Sequence, residues 1–421
     1  GLTLFFLTLF QLFTAFQFVT HLDADAMSSA VLGFTALIGI EWLLFLALRL
    51  ARRSGYEVET LAFFLTTIGF AVIASDDASK MGKQLICLVG GILIYLIIGW
   101  SLRDLSRAKR FRYLAAVGGL LLLAVNLVFG TEMYGAKNWI YIGSFSFQPS
   151  ELVKLCFIYV GASTMDRIVT KRNLILFIIY SAAVCGCLAL MNDFGTALIF
   201  FVAFLVIAFL RSGSFATVAL ACAATGFAGV LAVRFRPHIL KRFATWGHVW
   251  EDIYDKGYQQ TRAMSAAASG GLFGKGAGNG WLENIFAANT DMVFSLICEE
   301  LGLLIGICMV LAVLTLAFFA VRSARQGRSA YYAIAACAAM SMLLVQLALN
   351  VFGSLDILPF TGVTFPFVSR GGSSLLSCWM LMAFVKSADN RRSASFAVNP
   401  VKRIAGDDED DDEDTWEDNG E

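Results

Sequence analysis

Three carboxylates, Asp291, Glu299 and Glu300, stand where a polar, glycine-rich loop enters a long apolar run between Asn279 and Ile305. Charges at membrane depth are costly and mark function by default, although loop ends pointing into water are the plainer reading. A carboxylate with an ordinary pKa near ~3.9 becomes a better proton acceptor when burial raises that value. The chemistry on offer is general-base removal of a proton from a hydroxyl. In Gln148-Pro-Ser-Glu-Leu-Val-Lys154, the proline suits a helix start, and Glu151 and Lys154 fall three apart on one face. Paired there, they serve either the fold or a substrate phosphate. Asp193 separates two apolar runs, as a helix N-cap or as part of a polar cavity. The stretch Leu358 to Ser374 carries two prolines and three glycines at membrane depth. Irregular backbone is tolerated there only against protein or a water-filled cavity. It reads as a re-entrant segment that offers Ser369 and Arg370 as donors. Lys275 lies within Gly270 to Gly280, a loop with six glycines in eleven residues. No Ser or Thr follows the lysine, so this is not a nucleotide-binding P-loop, yet its amides can approach a phosphate.

Such residues need a scaffold, and composition says which kind. At 58% hydrophobic and 15% charged residues over 421 positions, with mean hydropathy +0.71, the chain is a polytopic membrane protein. Its zero net charge hides a division, since residues 407–421 hold 11 of the 32 acidic groups and no Lys or Arg. Residues 1–406 then set 32 basic groups against 21 acidic ones, a net of +11. The end of the chain is expected to be a disordered acidic appendage. Nine cysteines lie singly in apolar runs, as buried hydrophobes rather than disulfides or metal ligands, and three histidines make a zinc centre unexpected.

Apolar runs at 2–20, 28–50, 58–75, 84–100, 113–130, 150–165, 174–191, 194–210, 215–233, 291–320, 330–352 and 373–387 give twelve candidate spans. The first lacks a basic front and a cleavage site, so it is expected to be a helix rather than a signal peptide. Basic residues alternate to one side in the turns holding Arg49, Arg52 and Arg53; Arg103 to Arg112; Arg167 to Arg172; Arg211; and Arg322 to Arg328. That side is cytoplasmic and carries both termini. The outer side receives the longer, more polar loops, including 234–290, and chemistry belongs there. Arg234 to Trp250 interleaves bases with aromatics. Beside a membrane this fits anionic lipid headgroups better than nucleic acid.

Five ordered stretches resemble the SEDS family (shape, elongation, division and sporulation) of peptidoglycan glycosyltransferases, the RodA, FtsW and SpoVE type. They are Gly135 to Trp139 with Gln148 to Lys154; Asn192 to Ala197; Gly257 to Gln260 with Ser269 to Gly276; Thr290-Asp291 with Glu299 to Gly302; and Pro359 to Gly362 with Pro366 to Ser374. The resemblance implies an all-α fold with a ten-helix core over residues 58–390, containing the long extracytoplasmic loop 234–290. It leaves 1–57 as an extra amino-terminal helix pair and 391–421 as a cytoplasmic tail, acidic and disordered from 407. Asn192, Asn138, Asn289 and Arg370 depart from the family pattern, where proline, a basic residue, histidine and tyrosine are usual.

By resemblance, the enzyme polymerises lipid II at the outer face of the bacterial cytoplasmic membrane and releases undecaprenyl pyrophosphate with inversion. Asp291 is the implied base, and Glu151, Lys154 and Asp193 fall on the family's functional positions. The departing pyrophosphate needs cationic or amide donors. Lys154 is the first candidate, with Arg370, Lys275 or a divalent cation (Mg or Mn) as helpers, while Ser369 and Glu300 border the substrate. The sequence identifies no metal ligands. Expected partners are lipid II, undecaprenyl-linked glycan, membrane lipid and a class B penicillin-binding protein, with no nucleic acid. A lipid II flippase would also suit a polar cavity, but no inverted repeat is evident and the carboxylates gather toward one face. A non-catalytic scaffold for a transpeptidase is the third reading.

Overall fold

The computed structural model describes residues 1–20, 22–133, 136–143, 145–165, 171–235, 245–326, 329–391 and 394–397. The acidic run 407–421, residues 236–244 of the basic aromatic segment, Arg167 and Arg328 lie outside the described residues. The chain forms α1 (Leu2–Val19), α2 (Ala24–Leu50), α3 (Glu57–Asp77), α4 (Met81–Ser101), α5 (Leu105–Arg110) and α6 (Arg112–Phe129). A small sheet follows, β1 (Thr131–Met133), β2 (Ala136–Ile142) and β3 (Phe145–Phe147). Then come α7 (Pro149–Met165), α8 (Lys171–Leu190), α9 (Phe194–Ser212), α10 (Phe215–Phe235) and α11 (Tyr258–Gly270). Last are α12 (Val293–Glu300), α13 (Leu303–Gln326), α14 (Ala330–Ser354) and α15 (Gly372–Ser387).

Every expected span is helical, and eight stretches among the described residues are long and apolar enough to cross a membrane. One of the eight, Glu57–Ser101, contains both α3 and α4. The outer surface of α6 shows why the solvent must be lipid, because Leu114, Val117, Leu121 and Val128 are each more than 60% exposed along one stripe. The opposite face of α6 buries Gly119, Leu123 and Asn126.

The helical membrane fold stands as expected, with a small sheet added, since β1, β2 and β3 pair antiparallel in that order in the segment after α6. One expectation is corrected: the run 291–320 is not one span but α12 and α13, broken at Leu301 and Gly302. The break has a local cause. Gly302, at φ +90°, lets the glycine-rich loop come so close that an added Cβ would sit 2.3 Å from the Leu272 carbonyl oxygen. Two of the N–H groups that open α13 then find partners outside the helix, Leu303 N donating to Gly271 O at 3.0 Å and Leu304 N to Leu272 O at 3.3 Å.

The core centres on α15, which packs against α4, α7 and α14. Its fully buried Trp379 meets Phe63, Tyr95 and Phe367 edge-on, with ring centroids 5.0, 5.8 and 6.1 Å away. Small residues permit the approach, since Gly91 on α4 lies against Leu376 and Trp379. At the far end, Lys386 pairs with Glu59 at 3.0 Å and Arg391 with Glu57 at 2.7 Å, while Phe396 packs on Tyr95.

The amino-terminal pair docks on α3 and α4 through a narrow seam. α1 buries Leu4, Leu7, Gln11, Thr14 and Phe18, and α2 buries Ala30, Phe34, Leu37, Glu41, Leu44 and Leu48. Alternating steps of three and four are the spacing of a coiled-coil seam. Gln11 on α1 and Glu41 on α2 put an amide and an acid in the middle of these stripes, while the other polar residue of α1, Thr14, donates its hydroxyl to Phe10 O at 2.9 Å.

Candidate functional site

Asp291 sits in a tight turn before α12. Ala287, at φ +61°, accepts from Asp291 N at 2.8 Å and Thr290 N at 3.2 Å through its carbonyl. The segment before α15 is laced to this turn. Ser369 Oγ donates to Thr290 O at 2.5 Å and accepts from Phe365 N at 2.8 Å, and Arg370 N donates to Asn289 O at 2.8 Å. From α14, Asn350 Nδ2 reaches Asp291 O at 3.0 Å and Val363 O at 2.9 Å, tying both segments to one helix.

Within that segment Gly362, at φ +67°, lies flat against the aspartate, and a Cβ there would stand 3.1 Å from Asp291 Oδ2. Phe367, at φ +65°, holds the left-handed conformation that a bulky residue avoids. Strain of this sort persists where surrounding contacts over-determine the backbone, often at a functional site. Asp291 itself is half-buried and no ion pair engages it among the described residues. Burial pushes its pKa up to about 6, against a smaller lowering by a Thr290 hydrogen bond.

On the other side of Gly362 lies the start of α9. Asp193 caps that helix, its Oδ1 accepting from Thr196 N at 3.0 Å. Its Oδ2 accepts from Asn138 Nδ2 at 2.7 Å, so β2 is tied to the cap by a residue that departs from the family pattern. Gly195 brings this end of α9 against the same segment, where a Cβ would lie 2.7 Å from Val363 Cγ2 and 3.1 Å from Thr361 Cβ. The buried Thr361 hydroxyl has no partner there. Residues 361–363 therefore connect the Asp193 cap to Asp291. Glu151 and Lys154 form the expected pair on α7 at 2.8 Å, sealed at 6% and 1% side-chain exposure. Both of its charged groups are spent on each other here.

The remaining site residues hold the glycine-rich loop. Glu299 is fully buried and saturated, its Oε1 accepting from Lys275 Nζ at 2.8 Å and Trp281 N at 3.2 Å, its Oε2 from Leu282 N at 3.0 Å. Glu300, expected beside substrate, accepts from Ser75 Oγ at 2.6 Å, and its backbone carbonyl accepts from Gly276 N at 3.0 Å. Burial raises the Glu300 pKa to about 7 and also raises that of Glu283, which shares the Ser75 hydroxyl at 3.1 Å. Arg370 pairs with Asp76 on α3, and Lys275 and Arg370 each keep about 32% of the side chain exposed.

Sequence reasoning brought forward Asp291, Ser369 and Arg370, which the structure joins, and missed Asn350, Thr361, Ser75 and Asp76. Asn350 carried a signal, as an amide inside an apolar run. Thr361 carried none beyond its motif. Among the described residues no group of three or more His, Cys, Asp and Glu side chains is placed to hold a metal ion, and no step is assigned to one.

Comparison with known proteins supplies the family. Residues 58–394 match the sequence profile of FtsW, RodA and SpoVE, described as cell cycle proteins. The chain is 29% identical over 326 residues to the peptidoglycan glycosyltransferase RodA of Mycobacterium tuberculosis, covering 72% of this chain and 69% of that one. It is 31% identical over 339 residues to the probable peptidoglycan glycosyltransferase FtsW of Escherichia coli O157:H7, covering 75% and 81%. Among solved structures it resembles a chain from "Structural coordination of polymerization and crosslinking by a peptidoglycan synthase complex", with TM-score 0.68 and 25% identity over 79% of this chain and 96% of that one. A match across four-fifths of the sequence, agreeing with these relatives and with the helical architecture, places this chain in the FtsW, RodA and SpoVE family of cell cycle proteins.

Proposed function

We propose that this chain is a peptidoglycan glycosyltransferase that polymerises lipid II, with Asp291 as its general base. The observation that carries the assignment is the Asp291 carboxylate, which no cation neutralises among the described residues and which burial holds near pKa 6 beside the strained 362–367 segment. In the reaction, the 4-hydroxyl of the acceptor's N-acetylglucosamine attacks C1 of N-acetylmuramic acid at the reducing end of the growing strand. Asp291 takes the hydroxyl proton as the new C–O bond forms. The bond from C1 to the phosphate oxygen breaks, and undecaprenyl pyrophosphate leaves with inversion. A base with pKa just below neutral is mostly ionised at pH 7 and still a competent acceptor.

The leaving group draws on Arg370 and Lys275, two partly open cations each anchored by a single carboxylate. Lys154 is assigned instead to a sealed pair with Glu151 that holds α7 in place beside the Asp193 cap, since binding phosphate would require breaking that pair. Ser369 acts through the Thr290 carbonyl, and Glu300 acts through the loop. The basic-residue bias supports an extracytoplasmic site with both termini cytoplasmic. Likeness to a chain of a peptidoglycan synthase complex supports a class B penicillin-binding protein as partner. We assign residues 1–57 to an accessory helix pair, 58–390 to the catalytic core and 391–421 to a cytoplasmic tail.

The test is polymerisation of purified lipid II in detergent, with and without the transpeptidase partner. Glycan strands made by the wild type and absent with a folded, partner-binding Asp291→Asn support the assignment. Strands from neither overturn it in favour of lipid flipping or scaffolding.

A further inference from the structure

One hydroxyl stands between two carboxylates beside the glycine-rich loop. Ser75 Oγ, near the end of α3, lies 2.6 Å from Glu300 Oε1 and 3.1 Å from Glu283 Oε2. A serine hydroxyl has one proton to donate, and an ionised carboxylate has none. When Ser75 donates to one of the two acids, the other meets its lone pairs at hydrogen-bond distance and is held only if it brings a proton of its own. The arrangement is complete with one proton beyond the hydroxyl's, and unbalanced without it.

Charge leads to the same requirement. The charged groups around the pair are Asp76, Asp77 and Lys80 at the end of α3 and the turn after it, Lys275 in the loop, Glu299 on α12 and Arg370 before α15. Lys80 pairs with Asp76 and Asp77 at 3.7 and 2.9 Å, Arg370 with Asp76, and Lys275 with Glu299 at 2.8 Å. Each of these cations is bonded to another acid, and among the described residues no ion pair reaches Glu283 or Glu300. Glu300 is 2% exposed, where an unpaired charge is costly. Burial raises the pKa of both acids, and the charges of Glu283 and Glu299 add to the rise at Glu300, to about 7, against hydrogen bonds from Ser75 and the Gly278 backbone.

We propose that Glu283 and Glu300 share one proton across Ser75 at neutral pH, and that this proton is a pH-sensitive fastening of the glycine-rich loop. The three residues come from three elements: Ser75 from α3, Glu300 from α12 and Glu283 from the turn at 282–284 that follows the loop. The proton belongs to the pair rather than to either acid. Protonated, the chain runs from acid to hydroxyl to carboxylate with a donor for each contact. Deprotonated, two charges face one donor, and the turn at 282–284 is pushed away from α3 and α12. The loop follows, because Lys275 N and Gly276 N donate to the Glu299 and Glu300 carbonyls beside that turn. With a folded pKa above the ordinary carboxylate value, this stabilisation is complete at low pH and is lost as pH rises through about 7. Lys275 keeps Glu299 throughout, so the change is read in the opening of the loop and not in the chemical step.

Hydrogen exchange of the full chain in detergent, read by mass spectrometry on peptides covering 270–284 and corrected for the intrinsic pH dependence of exchange, tests this. Wild-type protection is expected to fall about tenfold from about pH 5.5 to about pH 8 and to level beyond it. Glu300→Gln and Glu283→Gln each place an amide donor where the shared proton sits and leave a single carboxylate for Ser75. In either variant the protection is expected to stay nearly level across that range. Glu299→Gln loosens the loop without touching the shared proton, so it is expected to start lower and keep the wild-type slope. Equal wild-type protection at both ends of the range overturns the proposal. So does a wild-type slope retained in a folded Glu300→Gln or Glu283→Gln, or a slope abolished by Glu299→Gln.

Discussion

Asp291 and Glu299 lie eight residues apart in one stretch, yet the turn at 287–292 and the loop at 270–282 use their carboxylates in opposite ways. Glu299 has no exposure and three donors, so its charge is consumed in clasping the loop. Asp291 is half-open, has no cation paired with it among the described residues, and faces the backbone of Gly362. A carboxylate saturated with donors holds structure, whereas one crowded but unpaired keeps its basicity for a ligand. Partner identity, rather than depth, separates the two roles.

The sharpest way to break this contrast is to neutralise each in turn. Asp291→Asn is expected to lower the polymerisation rate by about 10²–10⁴-fold, the range for losing a general base, with thermal stability kept or slightly raised because a desolvated charge is removed. Lipid II turnover beside a melting curve checks both halves, and a stable mutant that keeps its rate would dissolve the distinction.

Acidity probes the same contrast without mutation. As the proposed base, Asp291 must be ionised to accept a proton, and its folded pKa is raised to about 6. Activity is therefore expected to be level above pH 7 and to fall about tenfold per unit well below pH 6. A rate profile between pH 4.5 and 8 reads this directly, and a plateau extending below pH 5 would reassign the base.

Gly362→Ala presses a methyl toward Asp291 Oδ2 and strains a positive φ. A loss of about tenfold in rate is expected, since backbone strain of about 1–2 kcal/mol falls beside the base. The smallest effect on rate is expected of Glu299→Gln, which removes the charge that pairs Lys275 and turns an amide NH2 toward a donor, either Leu282 N or Lys275 Nζ and Trp281 N. It is expected to cost about 1–3 kcal/mol of stability, toward the lower end because Lys275 is one-third exposed, with little effect on the chemical step. Denaturant or thermal unfolding measures the cost, and a rate loss matching that of Asp291→Asn would contradict the separation of roles.

Much of this was readable in the residues. The twelve apolar runs predict the helices because hydrophobic length is a strong local signal, and the Glu151 and Lys154 spacing anticipates their contact. The break at Gly302 was not legible, because it depends on the Leu272 carbonyl arriving from thirty residues upstream. Nor was the sealing of Lys154, which packing decides. Of the strands after α6, β1 and β3 have three residues each, and the seven of β2, ending Trp-Ile-Tyr-Ile, do not alternate apolar with polar. Glu41 was legible and passed over: a carboxylate in the middle of a 27-residue apolar helix is itself a signal.

That carboxylate also bears on how the protein is made. Its hydrogen-bond donor, Gln11, lies in the same hairpin, thirty residues earlier in the chain. When α1 and α2 leave the ribosome, the buried acid already has a partner at hand, long before Thr67 on α3, which Gln11 also reaches at 3.2 Å, has been synthesised. The hairpin can enter the bilayer with this acid already bonded to an amide, and the Gln11–Glu41 layer in a largely apolar seam then sets the register at which the later helices find it.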